Sequence, residues 1–493
     1  MQTEFFSQRR AGVLLHPTSL PGTLGNGDFG AQAYRFVDFL AASGLSVWQV
    51  LPLNPPHSEL SPYQCQSSHA GNLLLVDLTA LEEKGWLAPL EIAPESVGEQ
   101  RCQRLQRLAQ AYHGFKQVAT LAEQQAFQEF CTQQAHWLDD YALFHTLKRH
   151  YQQAAWWEWL PEHRNYQAAA LQQARLEFGE MILEQKFGQF IFFQQWLALK
   201  AYANAKGVFL FGDMPIFVAE DSADVWANRG YFLLDEHGRP SVVAGVPPDY
   251  FSATGQRWGN PLYDWDKLQA DNFAWWLQRL KTAELLFDVI RIDHFRGFEA
   301  CWTIPATEKT AEHGEWVKVA GEALFDALLP QLHLPVVAED LGVITPEVEA
   351  LRHKYHFPGM KILQFAFDSD ASNPYLPHNH EPNGVVYTGT HDNDTTLGWF
   401  HLLSPTVQAY ALEYAHAEAH QMPWKLIELG FASVAKLVMI PMQDILSLDG
   451  SHRMNLPGTV KGNWEWRFSW SQLLPEHVEQ LRHLSRFYGR DGR

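Results

Sequence analysis

The stretch FDVIRIDHFRGF, residues 287–298, joins a short apolar run to a carboxylate at the end of that run. Residues 286–293 have the length and the β-branched content of a buried strand, and Asp293 closes it. Arg291 stands two positions earlier, so the two charged side chains project to the same side of the strand. Catalytic groups of parallel β/α barrels lie at the C-terminal ends of such strands.

Similar apolar runs alternate with helical stretches along the whole chain, which is the pattern of βαβ units and a parallel sheet. Strands are predicted near residues 11–16, 46–52, 207–213, 286–293, 334–339, 361–366, 384–389 and 437–442. Eight is the number of strands that closes a (β/α)8 barrel. We therefore predict an α/β protein with a single catalytic TIM barrel over residues 1–493.

Uneven spacing of the strands predicts two insertions. The first spans residues 60–206, between the second and third strands, and its part at about 85–185 is rich in Gln, Ala and Glu with helical periodicity. This part is expected to form an inserted helical subdomain. The second insertion, residues 215–265, is rich in Gly, Pro and aromatic residues and is expected to form long loops over the C-terminal face, among them 247–265.

Composition excludes several classes of function. The net charge of −19 argues against a nucleic-acid partner, which requires a basic face. No apolar run reaches the roughly 18 residues of a transmembrane helix, and the start MQTEFFSQRRAG lacks the apolar segment of a signal peptide. We therefore expect a cytoplasmic protein with no membrane partner. The 19 tryptophans hint at carbohydrate, because indole faces stack on sugar rings as readily as they fill cores.

Three more predicted strands lead into a carboxylate. Asp213 ends GVFLFGD, Glu339 follows PVVA, and Asp392 follows VVYTGTH. Arg291 is expected to keep Asp293 ionised by lowering its pKa, as a nucleophile requires, whereas the apolar run is expected to raise the pKa of Glu339, as a general acid requires. Two carboxyls in such contrasting settings form the pair that cleaves glycosidic bonds. A single acid often only caps a helix or pairs with an arginine, but four together favour a site.

Three other kinds of site fit the sequence less well. LGNGDFG, residues 24–30, has the spacing of a dinucleotide fingerprint, but no strand ends at Gly25 and no acidic residue follows at the required distance. THDNDT offers His391, Asp392 and Asp394 to a metal without a supporting ligand spacing. The G-x-S-x-G elbow of a serine hydrolase is absent from the sequence. We expect neither a metal nor a cofactor.

The chain resembles the 4-α-glucanotransferases of glycoside hydrolase family 77, also called amylomaltases or disproportionating enzymes. The resemblance runs nearly end to end and rests on GVLLHPTSLPG, GDFG, WQVLPLNP, SPYQ, GNLLLVDL, GDMPIFV, VPPDYFSATGQRWGNPLYDW, RIDHFRGF, AEDLG, PGMKILQFAF and TGTHDNDTT. It implies transfer of α-1,4-glucan segments from malto-oligosaccharides, starch or glycogen-derived chains to the 4-hydroxyl of glucose or another maltodextrin. The implied mechanism is a retaining double displacement without a cofactor. Whether large cyclic glucans also form is left open.

The resemblance also assigns roles to single residues. Asp293 matches the nucleophile, Glu339 the general acid/base, and Asp392 a third acid that holds sugar hydroxyls and stabilises the transition state. The loop 247–265 is implied to overhang the acceptor side. The residues implied to bind substrate are Tyr63, Asp213, Gln256, Trp258, Arg291, His294 and His391.

Two alternative functions stay open from the sequence. One is a retaining α-glucan hydrolase on the same barrel with the same acids. Only the loop motifs distinguish a transferase from such a hydrolase. The other is a non-catalytic glucan-binding protein. The presence of all three acids disfavours the second, because binding alone needs no pair of nucleophile and acid.

Overall fold

A computed structural model describes residues 2–22, 24–90, 93–248 and 252–492. These residues form twelve strands and nineteen α-helices. The strands are β1 (Arg10–Leu14), β2 (Val47–Gln49), β3 (Phe209–Pro215), β4 (Val242–Val246), β5 (Gln256–Pro261), β6 (Val289–Asp293), β7 (Ala300–Pro305), β8 (Glu315–Lys318), β9 (Val336–Ala338), β10 (Gly359–Ile362), β11 (Gly384–Tyr387) and β12 (Leu437–Pro441).

Eight of the strands form one parallel sheet in the order β10-β11-β12-β1-β2-β3-β6-β9, which is nearly closed. At the remaining edge the Ala338 backbone N–H donates to the Pro358 carbonyl at 2.9 Å. The Asp340 carboxylate bridges the same edge, because it accepts from the Met360 backbone N–H at 2.7 Å. The predicted (β/α)8 barrel is confirmed, and each predicted strand overlaps an observed one.

Helices cover the outside of the barrel, where α2, α9, α12 and α17 contact barrel strands. Within the described residues, no helix is both long and apolar enough to cross a membrane. The helices are α1 (Gln2–Phe5), α2 (Ala31–Ala42), α3 (Thr79–Glu83), α4 (Val97–Val118), α5 (Leu121–Gln133), α6 (Ala135–His150), α7 (Pro161–Arg164), α8 (Ala168–Glu177), α9 (Gly179–Ala205), α10 (Ala223–Ala227), α11 (Trp265–Ala270), α12 (Ala274–Leu286), α13 (Gly321–Leu328), α14 (Pro346–Lys354), α15 (Thr396–Leu402), α16 (Pro405–Tyr414), α17 (Trp424–Ala432), α18 (Met442–Ile445) and α19 (Pro475–Phe487).

The predicted helical insertion at 85–185 contains helices, with residues 91 and 92 outside the described part. Its helices α4, α5, α6 and α8 all contact α9, which continues to Ala205 and also packs on β3. Phe187, Phe190 and Trp196 of α9 are buried in one apolar core that includes barrel residues. The helix α9 therefore links the insertion to the barrel, and the division into subdomains stays a prediction.

The second predicted insertion, residues 215–265, contains strands as well as loops. Its strands β4 and β5 pair antiparallel and join β7 and β8 in a four-stranded sheet of order β5-β4-β7-β8. The expectation of loops alone is wrong here because the partner strands lie in a later connection, 300–318, beyond the reach of local patterns. Residues 249–251 of the predicted loop 247–265 lie outside the described residues.

The inner face of the barrel changes from apolar to charged along its strands. Side chains two positions apart share a face of a strand, so Val289, Arg291 and Asp293 of β6 project together. In the register of the sheet, Phe211 is paired with Val289, and Asp213 with Arg291. Phe211 and Val289 belong to a fully buried cluster. Because side chains alternate between the two faces of each strand, the face that fills the barrel also presents Asp213, Arg291 and Asp293 at its C-terminal mouth.

The glycine-rich stretch 24–30 has a structural role. A Cβ on Gly27 would lie 2.1 Å from the Pro17 carbonyl oxygen, so the close approach of the two loops requires glycine. Asp28 accepts from the Gly30 backbone N–H at 3.0 Å and pairs with Arg104 of α4. The stretch ties the β1–α2 connection to the first insertion.

Candidate active site

Arg291 is the centre of a charged network at the mouth of the barrel. Its Nε and Nη2 donate to the two oxygens of Asp213 at 3.0 and 2.8 Å, and Nη2 also donates to Asp293 at 2.8 Å. The Tyr63 hydroxyl donates to Asp213 at 2.6 Å and accepts from Arg291 at 3.2 Å. The side chains of Arg291 and Asp213 are 5% and 1% exposed, whereas that of Asp293 is 30% exposed. Among the three charged members of the network, Asp293 is therefore the one that a ligand can reach.

The variant Arg291→Leu is expected to lower the free energy of unfolding by about 3–5 kcal/mol, because it leaves Asp213 buried without its counter-ion. Denaturation in urea measures this. The matched control is Arg35→Leu, which removes an exposed guanidinium that lies over Trp470 at 4.1 Å and is expected to change stability by less than about 1 kcal/mol. Equal stability of the two variants would contradict the central place of Arg291.

Glu339 follows β9 and is held by backbone groups. Its Oε2 accepts from the His294 N–H at 2.7 Å, and its Oε1 accepts from the Leu341 N–H at 2.8 Å. His294 comes directly after Asp293 and has a φ of +51°, which is uncommon for a residue other than glycine. The turn that ends β6 therefore directs its N–H at Glu339, and one backbone segment fixes the two acids relative to each other.

Burial changes the titration of both acids. Burial raises the pKa of Asp293 to about 8, with Arg291 opposing and the carboxylates of Asp213 and Glu339 reinforcing the shift. Burial also raises the pKa of Glu339, opposed by Arg291 and by the two backbone donors. The predicted rise for Glu339 is confirmed. The predicted lowering for Asp293 is wrong, because burial among carboxylates outweighs the guanidinium. Such a pair titrates together and retains a proton at a pH where isolated carboxyls are ionised.

Asp392 lies in the loop after β11, and its side chain is 50% exposed. The Asn455 side-chain amide donates to its Oδ1 at 2.6 Å, and Arg453 donates to its carbonyl at 3.0 Å. His391 Nε2 is 3.4 Å from the other carboxylate oxygen. Sequence reasoning missed Asn455 and Arg453, because Asn455 is 63 positions from Asp392 and no local pattern marks such a partner.

Three flat side chains form one wall beside this loop. The rings of Tyr63 and His391 stack with centroids 5.2 Å apart and planes 10° apart. Trp464 contacts both rings at 6.0 and 5.9 Å, and it too was missed from the sequence. Burial lowers the pKa of His391, although Asp392 opposes the shift, so the ring is neutral near pH 7. The wall therefore offers a flat and largely uncharged surface.

A second tryptophan approaches from the antiparallel sheet. Trp258 of β5 contacts the His294 ring edge-to-face at 4.8 Å, and its indole N–H donates to the side-chain oxygen of Gln256 at 3.1 Å. Burial lowers the pKa of His294 to about 4, so this ring is neutral as well. Gln256 is exposed. The structure thus places Gln256 and Trp258 next to the residue that follows Asp293.

The predicted site residues form one connected set at the mouth of the barrel. One placement differs from the sequence prediction. Asp213 lies inside β3, which continues to Pro215, and not at the end of the strand. Asp392 lies in the loop after β11. Within the described residues, no group of three or more His, Cys, Asp or Glu side chains is arranged to hold a metal ion. The connected residues are Tyr63, Asp213, Gln256, Trp258, Arg291, Asp293, His294, Glu339, His391 and Asp392.

A (β/α)8 barrel with two positioned carboxyls, a third acid and aromatic walls at its mouth is typical of enzymes that act on glycosidic bonds. The family model described as 4-alpha-glucanotransferase matches residues 15–473. The 4-alpha-glucanotransferase of Thermus thermophilus is 49% identical over 490 residues, which are 97% of this chain and 98% of that protein. The chain belongs to the 4-α-glucanotransferase family, glycoside hydrolase family 77.

Other relatives agree with this membership. The 4-alpha-glucanotransferase of Synechocystis is 49% identical over 496 residues, 98% of each chain. The structure of an amylomaltase from Streptococcus agalactiae in complex with acarbose matches with a TM-score of 0.94 at 36% identity, over 98% of this chain and 100% of that one. The resemblance found in the sequence is confirmed, and these relatives favour a glucanotransferase over the hydrolase alternative.

Proposed function

We propose that this protein transfers segments of α-1,4-glucan to the 4-hydroxyl of glucose or of another maltodextrin by a retaining double displacement. The observation that carries the proposal is the hydrogen bond from the His294 backbone N–H to the Glu339 carboxylate. It fixes the position of Glu339, which follows β9, relative to Asp293, which ends β6. Arg291 holds Asp293 from the other side. Two fixed carboxyls are the requirement of this chemistry.

In the first step Glu339 gives its proton to the glycosidic oxygen while the Asp293 carboxylate attacks C1. The bond between C1 and the glycosidic oxygen breaks, the leaving chain departs with a free 4-hydroxyl, and a covalent glucosyl–Asp293 ester remains. We place the proton that the two acids retain on Glu339 in this step, because the charged Arg291 guanidinium donates directly to Asp293, whereas the donors to Glu339 are neutral backbone N–H groups.

In the second step Glu339 acts as the base. It takes the proton from the 4-hydroxyl of the acceptor sugar, whose oxygen attacks C1 and displaces Asp293. A new α-1,4 bond replaces the old one, and both carboxyls return to their starting states. No cofactor enters this scheme, since the two acids supply all the proton transfers.

Asp392 and the aromatic walls are proposed to bind the sugar at the cleavage point. Asp392 is half exposed and Asn455 holds its Oδ1, so its Oδ2 can accept from sugar hydroxyls. The stack of Tyr63 on His391 offers a flat surface to a sugar ring. Both features hold a sugar in the orientation that the attack on C1 requires.

Transfer to sugar requires that water be kept from the covalent intermediate. Trp258 of β5 covers the turn after Asp293 through its contact with His294. We propose that Trp258 excludes water while an acceptor sugar is positioned.

The variant Trp258→Ala is expected to raise the ratio of hydrolysis to transfer several-fold, because it opens the turn beside Asp293 to solvent. The ratio is measured from the increase in reducing ends relative to the consumption of maltotriose. The control Trp470→Ala removes a half-buried tryptophan that contacts Gln32 and Arg35, outside the site. An unchanged ratio in Trp258→Ala would contradict this role of Trp258.

Maltotriose as the sole substrate tests the proposed function. The product ladder and the total reducing ends are followed together over time. Transfer predicts glucose and longer maltodextrins at a constant number of reducing ends. Reducing ends that rise in step with the loss of substrate would instead indicate hydrolysis and would contradict the proposal.

A further inference from the structure

Asp444 contacts both ends of the loop 388–396, which connects β11 to α15. It lies in α18, directly after β12, and β12 is the neighbour of β11 in the barrel sheet. At the start of the loop, the Thr388 hydroxyl donates to Asp444 Oδ2 at 2.6 Å. At its end, Thr396 donates its backbone N–H to Oδ1 and its hydroxyl to Oδ2, both at 2.7 Å. One carboxylate therefore ties the start of the loop to its end.

The groups that meet at Asp444 are buried and neutral. Thr388 and Thr396 are completely buried, and Asp444 is 1% exposed. A buried carboxylate is costly unless donors satisfy its oxygens, and the three donors here are two hydroxyls and one backbone N–H. Loss of the carboxylate would in turn take the acceptor from the buried Thr396 N–H, which is also costly. The two ends of the loop and Asp444 therefore depend on each other.

The part of the loop between these ends reaches the catalytic site. Asp392 is 50% exposed and lies beside His391, whose ring stacks on Tyr63. The loop is held from the side of β10 as well, because the Gln364 side-chain amide donates to the Asp394 carbonyl at 2.9 Å. Functional side chains on a loop depend on the scaffold that positions the loop. A shift at the buried ends would therefore move Asp392 relative to a bound sugar.

We propose that Asp444 is a positioning residue for the transfer reaction and that, through Thr388 and Thr396, it fixes the loop that presents Asp392 to the sugar at the cleavage point. The inference rests on the proposed function, in which Asp392 holds sugar hydroxyls. It adds a buried residue that acts only through the loop. A displacement of about 1 Å in the catalytic geometry can lower the rate about 10²-fold.

The test is a double-mutant cycle between Asp444→Ala and Asp392→Asn, measured as kcat/KM for transfer with maltotriose. Alone, Asp444→Ala is expected to lower kcat/KM about 10- to 100-fold. In the Asp392→Asn background it is expected to cost less than about 3-fold, because the group that it positions is already lost. A loss of folded protein would persist in both backgrounds. Equal losses in the two backgrounds, or no loss in Asp444→Ala alone, would overturn the proposal.

Two milder variants extend the cycle. Asp444→Asn keeps an oxygen for the Thr396 N–H and is expected to recover most of the loss. Thr388→Val has a shape similar to threonine and removes one of the three hydrogen bonds, so it is expected to cost about 2- to 10-fold. This loss should also disappear in the Asp392→Asn background. Because Thr388→Val disturbs the core least, it tests the proposal even if Asp444→Ala does not fold.

The matched control is Asp288→Ala, which removes a carboxylate just before β6, at the end of the strand opposite Asp293. Asp288 also joins separate segments, because it accepts from the Leu210 backbone N–H at 2.7 Å and from the Asn204 side-chain amide at 2.8 Å. It is expected to leave kcat/KM nearly unchanged in both backgrounds. The same dependence on Asp392 in Asp288→Ala as in Asp444→Ala would overturn the proposal.

Hydrogen exchange of the backbone amides separates this inference from the proposed function. Residues 388–396 are expected to exchange faster in Asp444→Ala than in the wild type, and at an unchanged rate in Asp288→Ala. Unchanged exchange in Asp444→Ala would overturn the role of Asp444 even if transfer is observed. Faster exchange supports this role even if the wild type hydrolyses maltotriose, a result that would contradict only the proposed function.

Discussion

Glucan transfer is expected to fall by about 10⁴- to 10⁶-fold in Asp293→Asn, the range seen when a group that acts directly in the chemistry is removed. The amide has the shape of the carboxylate and keeps an oxygen for Arg291, but it cannot form the ester with C1. The loss should therefore appear in kcat, while the affinity for maltoheptaose is preserved. Product ladders over long incubations and calorimetric titration measure the two quantities.

Asp288→Asn is the matched control for this variant. Asp288 stands just before β6, at the opposite end of the strand, where it accepts from the Leu210 backbone N–H at 2.7 Å. The same substitution on the same segment is expected to leave transfer near the wild-type rate. If Asp293→Asn retained most of the activity, the assignment of the nucleophile would be wrong.

Glu339→Gln is expected to reduce transfer from maltodextrins by about 10²- to 10⁴-fold, the contribution typical of general acid–base catalysis. A maltosyl α-fluoride needs no proton on its leaving group, so the first step should remain fast with this donor. We therefore expect a burst of fluoride in Glu339→Gln and none in Asp293→Asn. Equal loss on both donors would contradict the role of Glu339 as the acid.

The same assignment predicts the pH dependence of the wild type. The pair of acids must hold one proton, which belongs on Glu339. Lowering the pH adds a second proton to Asp293, which then cannot attack C1. Raising the pH removes the proton from the pair, and because burial raises the pKa of both acids, this loss and the resulting fall in kcat/KM are expected at a higher pH than for isolated carboxyls. With the fluoride donor, the rate of the first step should no longer fall at high pH.

The barrel and its acids could be predicted because their signals are local. The apolar run before Asp293 has the length of a strand, and the two-residue period of a strand places Arg291 and Asp293 on one face. Glu339 follows a similar run, so both acids were found from position alone. Asp213 was predicted at the end of its strand and lies inside β3 instead, but it still binds Arg291 at the site.

Other parts of the site depend on contacts between distant segments. Asn455 and Trp464 come from the chain after β12, and it is the folded barrel that brings them to Asp392 and His391. The strand β7 pairs with β4 from another connection, and β8 pairs with β7. The pKa of Asp293 is raised by burial and by carboxylates from other strands. The sequence around Asp293 shows only Arg291, which lowers this pKa.

The central claim is a covalent bond between the sugar and Asp293. A maltotriosyl α-fluoride that lacks the 4-hydroxyl on its non-reducing sugar can donate but cannot accept, so the ester should accumulate. Mass spectrometry of the digested protein should then find the added sugar mass on the peptide that contains Asp293, and no such mass in Asp293→Asn. A label on the peptide of Glu339 or Asp392 instead, or fluoride release with every peptide unlabelled, would contradict the account.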